Sequence, residues 1–501
     1  MRADYLQAKR PDILEVIANL SNDVVFTPPH VVNAVLDLLP DEVWTNSALR
    51  WLDPGSKTGV FPREITKRLM VGLTDAIPDE DARLRHILTE MVFAIATDEI
   101  TGMMTRRSLY CSKDASSDFS VVKFKAPSGN VWQKPVEHDW DSKGKCRECK
   151  GTKEQLLKPG RDNKAYGFIH ADGRNQIEKE MNMKFDVVVG NPPYQMSDGG
   201  PGGSASPIYQ KFIEFAIALN PQHIAMIVPS KWMVGGKGLN DFRERMMSDR
   251  RLVRVVDYQN AQQLFPVINL NGGISYFLWS SRHQGDCEYT YHFSDEEPTT
   301  TRRCLDEFDV VVRDNIALSI LHKVKIKGEN SFEERVSRLK PFGMRTDFRG
   351  SESKTHNPVK LFQNGGTAWV SRSFITVNTD LIDAWKVLIP RASDGNEVYP
   401  LPVLSNPIVA EPGTVCTETY LVVGPWKCRE ECDAVVSYIK TKFFRFLLSI
   451  RKATQDNSRE KFRFIPDLPM DRVWKDEELY QRYGINDSEI EHIEAVVRAQ
   501  Q

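Results

Sequence analysis

Phe185-Asp186-Val187-Val188-Val189-Gly190-Asn191-Pro192-Pro193-Tyr194 joins a short buried strand to a stiff, chemically loaded turn. Residues 185 to 189 are mostly apolar and β-branched, the composition of a strand covered on both faces. Gly190 breaks the run. The two prolines fix φ and offer no N–H to a ladder, so Asn191 and Tyr194 are held at the strand's carboxyl end. In an open α/β sheet that is the edge where ligands bind.

Such a turn suits an amino group attached to a planar ring or a carbonyl. The Asn191 side-chain oxygen and the Pro192 carbonyl can both accept from an NH2, and Tyr194 offers a stacking face. Two acceptors localise the nitrogen lone pair, which stabilises a transition state in which a conjugated amine becomes a nucleophile. The bland reading of the same tetrapeptide is a proline-rich turn after a core strand.

The sequence resembles, at Asn191-Pro192-Pro193-Tyr194, the catalytic motif of S-adenosylmethionine-dependent amino-methyltransferases, above all the DNA adenine-N6 family. Upstream, Asp53-Pro54-Gly55-Ser56-Lys57-Thr58-Gly59-Val60-Phe61 follows a brief strand, Leu49 to Leu52, and leads into a helix marked by Ile65 and Leu69. Small residues between a strand end and a helix start let the backbone approach a ligand, and the helix N-terminus favours a carboxylate. The run resembles the family's cofactor loop and departs from it at Lys57, where the family carries glycine. Phe26-Thr27-Pro28 precedes a helix over His30 to Leu39. It resembles the family's segment that touches the methionine portion of the cofactor. Read alone, it is a helix start capped by Thr27.

Met91 to Ala96 reads as a second strand ending at Thr97-Asp98-Glu99, and an acidic residue there is the expected partner of the ribose hydroxyls. Asp98 and Glu99 are both candidates, Glu99 being favoured by the resemblance; the alternative is a helix-capping carboxylate. Phe168 to Gly173 reads as a third strand, with Asp172 placed like the residue that accepts from the cofactor's adenine amine, against a plain Asp-Gly surface turn. Further strands at His223 to Val228, Leu252 to Val256 and Gly273 to Trp279 complete an α/β, Rossmann-like methyltransferase sheet over residues 24–292. A helical extension occupies 1–23. The Gly/Ser-rich stretch Gln195 to Pro207 is either a lip over an extruded base or a plain linker.

An insertion over about 111–167 carries Cys146-x-x-Cys149, with His138 upstream and Cys111 closing the preceding helix. Cys111, His138, Cys146 and Cys149 suit a tetrahedral structural zinc site, the alternative being reduced thiols in a loop. Residues 293–501 lose the regular alternation, as expected of a C-terminal α+β target-recognition domain. Within it Lys442, Arg445, Arg451, Lys452, Arg459, Lys461 and Arg463 interleave with phenylalanines, a pattern for phosphate contacts plus stacking. A basic helix face over a phenylalanine core is the competing reading.

Composition sets the outer bounds. The 501-residue chain is 41% hydrophobic and 27% charged with a net charge of −2, so any nucleic-acid site is local rather than global. Eight cysteines in this length point to a reducing compartment, and the expected location is the cytoplasm. No membrane partner is expected. The order of the motifs resembles gamma-type adenine methyltransferases, more closely the Eco57I-type restriction-modification methylases. That resemblance implies S-adenosylmethionine, double-stranded DNA and a flipped target adenine. No nuclease constellation stands out, so a separately encoded restriction endonuclease, or none, is the expected companion. An RNA adenine or protein-glutamine methyltransferase would share the same turn, and Lys57 leaves room for a DNA-binding protein with a decayed cofactor pocket.

Overall fold

A computed structural model describes residues 26–156, 166–196, 206–266, 270, 272–294, 296–392, 399–452 and 455–499. The helical extension expected over 1–23, and most of the Gly/Ser-rich stretch after Tyr194, lie outside these residues. The chain divides into two compact units, Met1–Val311 and Val312–Gln501.

The first unit is built on one nine-stranded sheet. In chain order its strands are β1 (Trp51–Ser56), β2 (Val92–Ala96), β3 (Val131–Trp132), β4 (Val187–Gly190), β7 (His223–Pro229), β8 (Leu252–Tyr258), β9 (Ile274–Ser280), β10 (Cys287–His292) and β11 (Thr299–Arg303). The pair β5 (Gln195–Met196) and β6 (Ser206–Pro207) stands apart. Across the sheet the order is β11-β10-β8-β9-β7-β4-β1-β2-β3. β1, β2, β3, β4 and β7 run parallel, and β9 is inserted antiparallel between β7 and β8. The direction of winding reverses between β1 and β4, so a crevice opens beyond their carboxyl ends.

The principal helices of this unit are α1 (Pro29–Leu36), α2 (Val60–Gly72), α3 (Glu99–Tyr110), α4 (Ala171–Met181), α5 (Tyr209–Ala218) and α6 (Asn240–Ser248). Val31 and Val35 of α1 and Ile65 and Leu69 of α2 share one core with Trp51, Val187, Val189 and Ala225 of the sheet. Period-2 alternation then sends Val188, Ile224 and Met226 into a second buried face. Asp186 ties the starts of three strands together: its carboxylate accepts from Arg50 N at 2.9 Å and Gln222 Nε2 at 3.0 Å, and its carbonyl from His223 N at 3.1 Å. The Arg50 guanidinium stacks over Phe93 and Phe185 at 4.4 and 4.8 Å, closing the bottom of the sheet.

Three expectations change. Phe168 to Gly173 is no strand: it is a turn entering α4, because Gly173 packs against Gly167 so closely that a Cβ would lie 2.4 Å from the Gly167 Cα. The sheet's third parallel strand comes instead from inside the insertion, where Val131–Trp132 pair with Ala94 and Ile95. The unit border expected at residue 292 falls at 311, because the Thr-rich β10–β11 hairpin extends the sheet.

The second unit carries two three-stranded sheets. One has the order β13 (Gly366–Ser371), β12 (Pro358–Gln363), β16 (Thr414–Cys416); the other β15 (Ile408–Ala410), β14 (Trp385–Pro390), β17 (Tyr420–Trp426). With them pack α7 (Asn315–Ile326), α8 (Arg429–Lys440), α9 (Lys442–Ile450), α10 (Asp476–Tyr483) and α11 (Asp487–Val496). The α+β character expected of this region is observed.

Candidate functional site

The end of β1 and the end of β4 meet at the crevice. Gly190 leaves room for the Asp53 carboxylate: a Cβ there would sit 2.8 Å from Asp53 Oδ1 and displace it. Gly59 turns the chain from the loop into α2 at φ +74°, with a Cβ position 2.9 Å from the Thr105 backbone of α3. Gly59 is the N-cap of α2 and no side chain caps that end, so the first amides of the helix remain open to an anion. Lys57 is not among the residues with positive φ. A lysine in place of the family glycine therefore needs no left-handed backbone.

A cavity open to solvent lies between these elements, lined by Thr27, Asn191, Asp53, Gly55 and the run Lys57 to Phe61. It gathers residues from three parts of the chain assigned to cofactor and catalysis by their motifs. Phe26 and Pro28 flank Thr27, and Pro54 lies within β1. Asp98, Glu99 and Asp172 do not line it. Asp98 caps α3 by accepting from Thr101 N at 2.8 Å, which leaves exposed Glu99 as the uncommitted acid at the end of β2. Asp172 sits in the first turn of α4 and accepts from Glu137 N and Gln176 Nε2, both at 3.1 Å.

Burial sets the electrostatics. Desolvation pushes the Asp53 carboxyl up to about 7, against the opposing pull of Ser56, the Gly55 amide and the Lys57 charge. The same loss of water brings the Lys57 ammonium down to about 8, with Asp53 resisting. The Lys57 Nζ also lies 6.0 Å from the centroid of the Tyr194 ring, so this side chain bridges the loop and the proline turn. Burial raises the Tyr194 phenol far above its ordinary range, with the neighbouring Asn191 side chain only partly offsetting it. A phenol held neutral in this way cannot serve as a base.

Asn191 is 4% exposed, and its Nδ2 donates to Thr27 Oγ1 at 2.9 Å. That bond turns Oδ1 the other way, where it is buried beside the Tyr194 hydroxyl and closes no hydrogen bond of ordinary geometry. The Tyr194 hydroxyl is likewise buried and closes none of ordinary geometry. A buried acceptor without a donor costs free energy comparable to a lost hydrogen bond, and such groups mark places where a ligand completes the set. Thr27 does not cap α1, as its position before proline suggested. Pro28 is the N-cap, without a side-chain bond, and the threonine hydroxyl orients the asparagine amide instead. This link spans 164 residues of sequence, and no local pattern announces it.

The cysteine cluster is also redrawn. His138, Cys146, Cys149 and His170 are buried with their donor atoms all within 4.8 Å of one another. Cys111 is not in the group; it is exposed and ends α3 at φ 59°. Desolvation, helped by the neighbouring Cys146, pushes the Cys149 thiol up to about 12.

In the second unit the basic segment is committed to internal partners. Phe443, Phe444, Phe446, Phe462 and Phe464 are core residues, so their rings are not available for stacking on bases. Arg445 is 1% exposed and donates to the carbonyls of Thr441, Lys440, Pro402 and Arg498 at 3.2, 3.1, 3.4 and 2.6 Å. Lys442 pairs with Glu494 and Lys452 reaches the Val403 carbonyl. Lys461 donates to Arg451 O at 2.7 Å, Arg459 to Glu333 O at 3.1 Å, and Arg463 to the Glu333 carboxylate at 2.8 Å. Arg451 is buried over Phe464. The stacking half of the expectation is not met, because the rings form a core around which the long basic side chains bury their stems and bond nearby carbonyls, while Arg463 stays exposed at the surface.

The chain matches the family model described as Eco57I restriction-modification methylase over residues 90–265. It is 35% identical over 344 residues to an uncharacterized adenine-specific methylase of Mycoplasma pneumoniae, a match covering 64% of this chain and 80% of that protein. Two similar solved structures are a DrdV–DNA complex (10% identity, TM-score 0.49, 92% of this chain and 56% of that one) and the type IIL restriction-modification enzyme MmeI with DNA (10%, 0.43, 87% and 63%). The chain thus spans less than two thirds of either solved chain. By its identity with a relative of which it covers four fifths, and by the methylase region it carries, the chain belongs to the family of Eco57I-type restriction-modification adenine methylases.

Proposed function

We propose that the protein transfers a methyl group from S-adenosylmethionine to the exocyclic N6 amino group of adenine in duplex DNA, as the modification activity of a restriction-modification or phage-defence system. The observation that carries this reading is the buried Asn191 amide, held at the switch point beside the cavity by Thr27, with an Oδ1 that closes no hydrogen bond of ordinary geometry. Family membership supplies the adenine.

The residues present fit the cofactor. The open amides of α2 suit its carboxylate, the Asp53 carboxyl suits its positive charge, and Thr27, Gly55 and Phe61 line the space between. Bound there, S-adenosylmethionine would supply an electrophilic methyl group. Asn191 Oδ1 and the Pro192 carbonyl accept the two N–H bonds of the target amine, concentrating its lone pair as positive charge develops. The Tyr194 ring provides the stacking surface. Neither Asn191 nor the neutral Tyr194 takes the proton at the bond-making step; the acidic N–H of the methylated amine leaves to water afterwards.

Tyr194 is 8% exposed and Asn191 4%, so an adenine stacked inside a duplex cannot reach them. The base must leave the helix to react. We assign target recognition to the second unit, Val312–Gln501, through surfaces other than the 442–464 segment. The test is to incubate the full chain with methyl-labelled S-adenosylmethionine and unmethylated duplex DNA, structured RNA or protein, and to identify the labelled product. N6-methyladenine in DNA is expected. Label confined to RNA or to glutamine would move the assignment to those substrates, and no cofactor binding at all would overturn it.

A further inference from the structure

His138, Cys146, Cys149 and His170 come from two places in the sequence, yet their donor atoms form one buried group within 4.8 Å. A tetrahedral zinc ion with two sulfur and two nitrogen ligands holds donors roughly 3.3–3.8 Å apart. His138 Nδ1 already lies 3.5 Å from Cys149 Sγ. Cys146 and Cys149 stand on a tight knuckle, in which Cys146 N donates to Gly151 O at 2.8 Å, Lys150 N to Cys146 O at 3.1 Å, and Lys150 takes φ 64°. Such a turn aims two thiols at one point.

His170 supplies the second, independent observation. Its Nδ1 is 2.9 Å from the Tyr166 carbonyl, an acceptor only, so Nδ1 carries the proton and Nε2 presents a lone pair. That Nε2 is buried and has no hydrogen-bond partner. A ring fixed through one nitrogen by a carbonyl while the other stands among two thiols and a second imidazole is the arrangement of a metal-ligating histidine. With four protein ligands no position is left open for substrate, which makes the site structural rather than catalytic.

We propose that these four residues bind one zinc ion, fastening the inserted knuckle to the turn at residues 166–170 and so fixing the aromatic wall behind the cofactor cavity. The fastening is reinforced from the knuckle's own Glu148. Its carboxylate accepts from Ala171 N at 2.9 and 3.0 Å at the start of α4, and pairs with Arg174 at 3.2 Å. Tyr166 and Phe168, on the same turn, pack on Phe212 with ring centroids 6.0 and 5.9 Å apart. Phe212 in turn stands 3.7 Å from the point where Gly55 would carry a Cβ, and Gly55 lines the cavity. The metal assignment stands on the four ligands alone; its effect on cofactor binding rests on the function proposed above.

The experiment is metal analysis of the purified full chain, repeated after cobalt replacement, with the variants Cys146→Ser, His170→Ala, His170→Cys and Cys111→Ser. One zinc per chain is expected in the parent, in Cys111→Ser and in His170→Cys, with loss in the other two. The cobalt form should show the visible bands of a tetrahedral thiolate site. Chelation of the parent should lower its melting temperature and weaken S-adenosylmethionine binding several-fold, both restored by one equivalent of zinc. A chain that takes up no zinc or cobalt on reconstitution would overturn the site. Zinc kept by His170→Ala but lost from Cys111→Ser would overturn this ligand set. Stoichiometric zinc whose removal leaves cofactor affinity unchanged would overturn the wall while sparing the metal.

Discussion

Replacing Thr27 by valine removes one hydroxyl and almost no volume, and the structure says which step should suffer. Thr27 Oγ1 accepts the 2.9 Å bond from Asn191 Nδ2 between two side chains that are 7% and 4% exposed. Without it the Nδ2 group loses its acceptor in a place that water hardly reaches. The lost bond alone is worth about 1 kcal/mol, and a stranded buried donor about 3 kcal/mol. The amide relieves this by rotating its NH2 toward the cavity, which removes the acceptor intended for the target amine. A fall in kcat of roughly 5- to 150-fold follows from those energies. The assay is single-turnover methyl transfer at saturating S-adenosylmethionine, with cofactor affinity measured separately by calorimetry. Because the hydroxyl acts through Asn191, the double variant with Asn191→Ala should be no slower than Asn191→Ala alone. An unchanged kcat, or a loss found wholly in cofactor affinity, would refute the reasoning and return Thr27 to a simple cofactor contact.

Other outcomes follow from the same geometry. Asp53→Ala should weaken cofactor binding more than it slows the bound complex, read as Kd against single-turnover rate. Burial holds Asp53 at about 7, above its ordinary 3.8, so the carboxylate is lost as pH falls through 7. Cofactor affinity should then drop by up to about tenfold per unit on the acid side. The linked stability term of the free protein has the opposite sense: it is fully present below the ordinary carboxyl value and lost as pH rises through about 7. Lys57→Met removes the charge that opposes this shift and should move the midpoint upward, which a pH series of binding isotherms would show. Arg445→Met should cost about 2–4 kcal/mol in urea unfolding by stranding the carbonyls it now bonds, and leave DNA retention by the folded protein unchanged.

The strand that carries the turn is visible in sequence because it is a continuous apolar run ended by glycine, Val187–Gly190, whereas the first strand, expected over Leu49 to Leu52, runs on through Asp53, Pro54 and Gly55 to Ser56, residues whose composition reads as loop. The loop from Asp53 to Phe61 is visible because its chemistry is local. What escaped depends on contacts distant in the chain. His170 carries no sign of its role in its own neighbourhood; it is the fold that brings it to the Cys146–Cys149 knuckle in place of Cys111. Val131–Trp132 is too short to show a period and joins the sheet only through β2. Asp172 lost its expected strand to glycine-on-glycine packing at Gly167 and Gly173. The basic segment at 442–464 had two readings of equal form, and the burial of its phenylalanines takes base stacking out of the first.

The most direct test of the central claim concerns Asn191 itself. In the Asn191→Ala protein, single-turnover transfer to adenine-containing duplex DNA should fall by about 10²–10³, the scale of removing one transition-state hydrogen-bonding group. Cofactor affinity should change by no more than a few-fold. Transfer at the parent rate, or a loss of activity that tracks lost cofactor binding, would contradict the account.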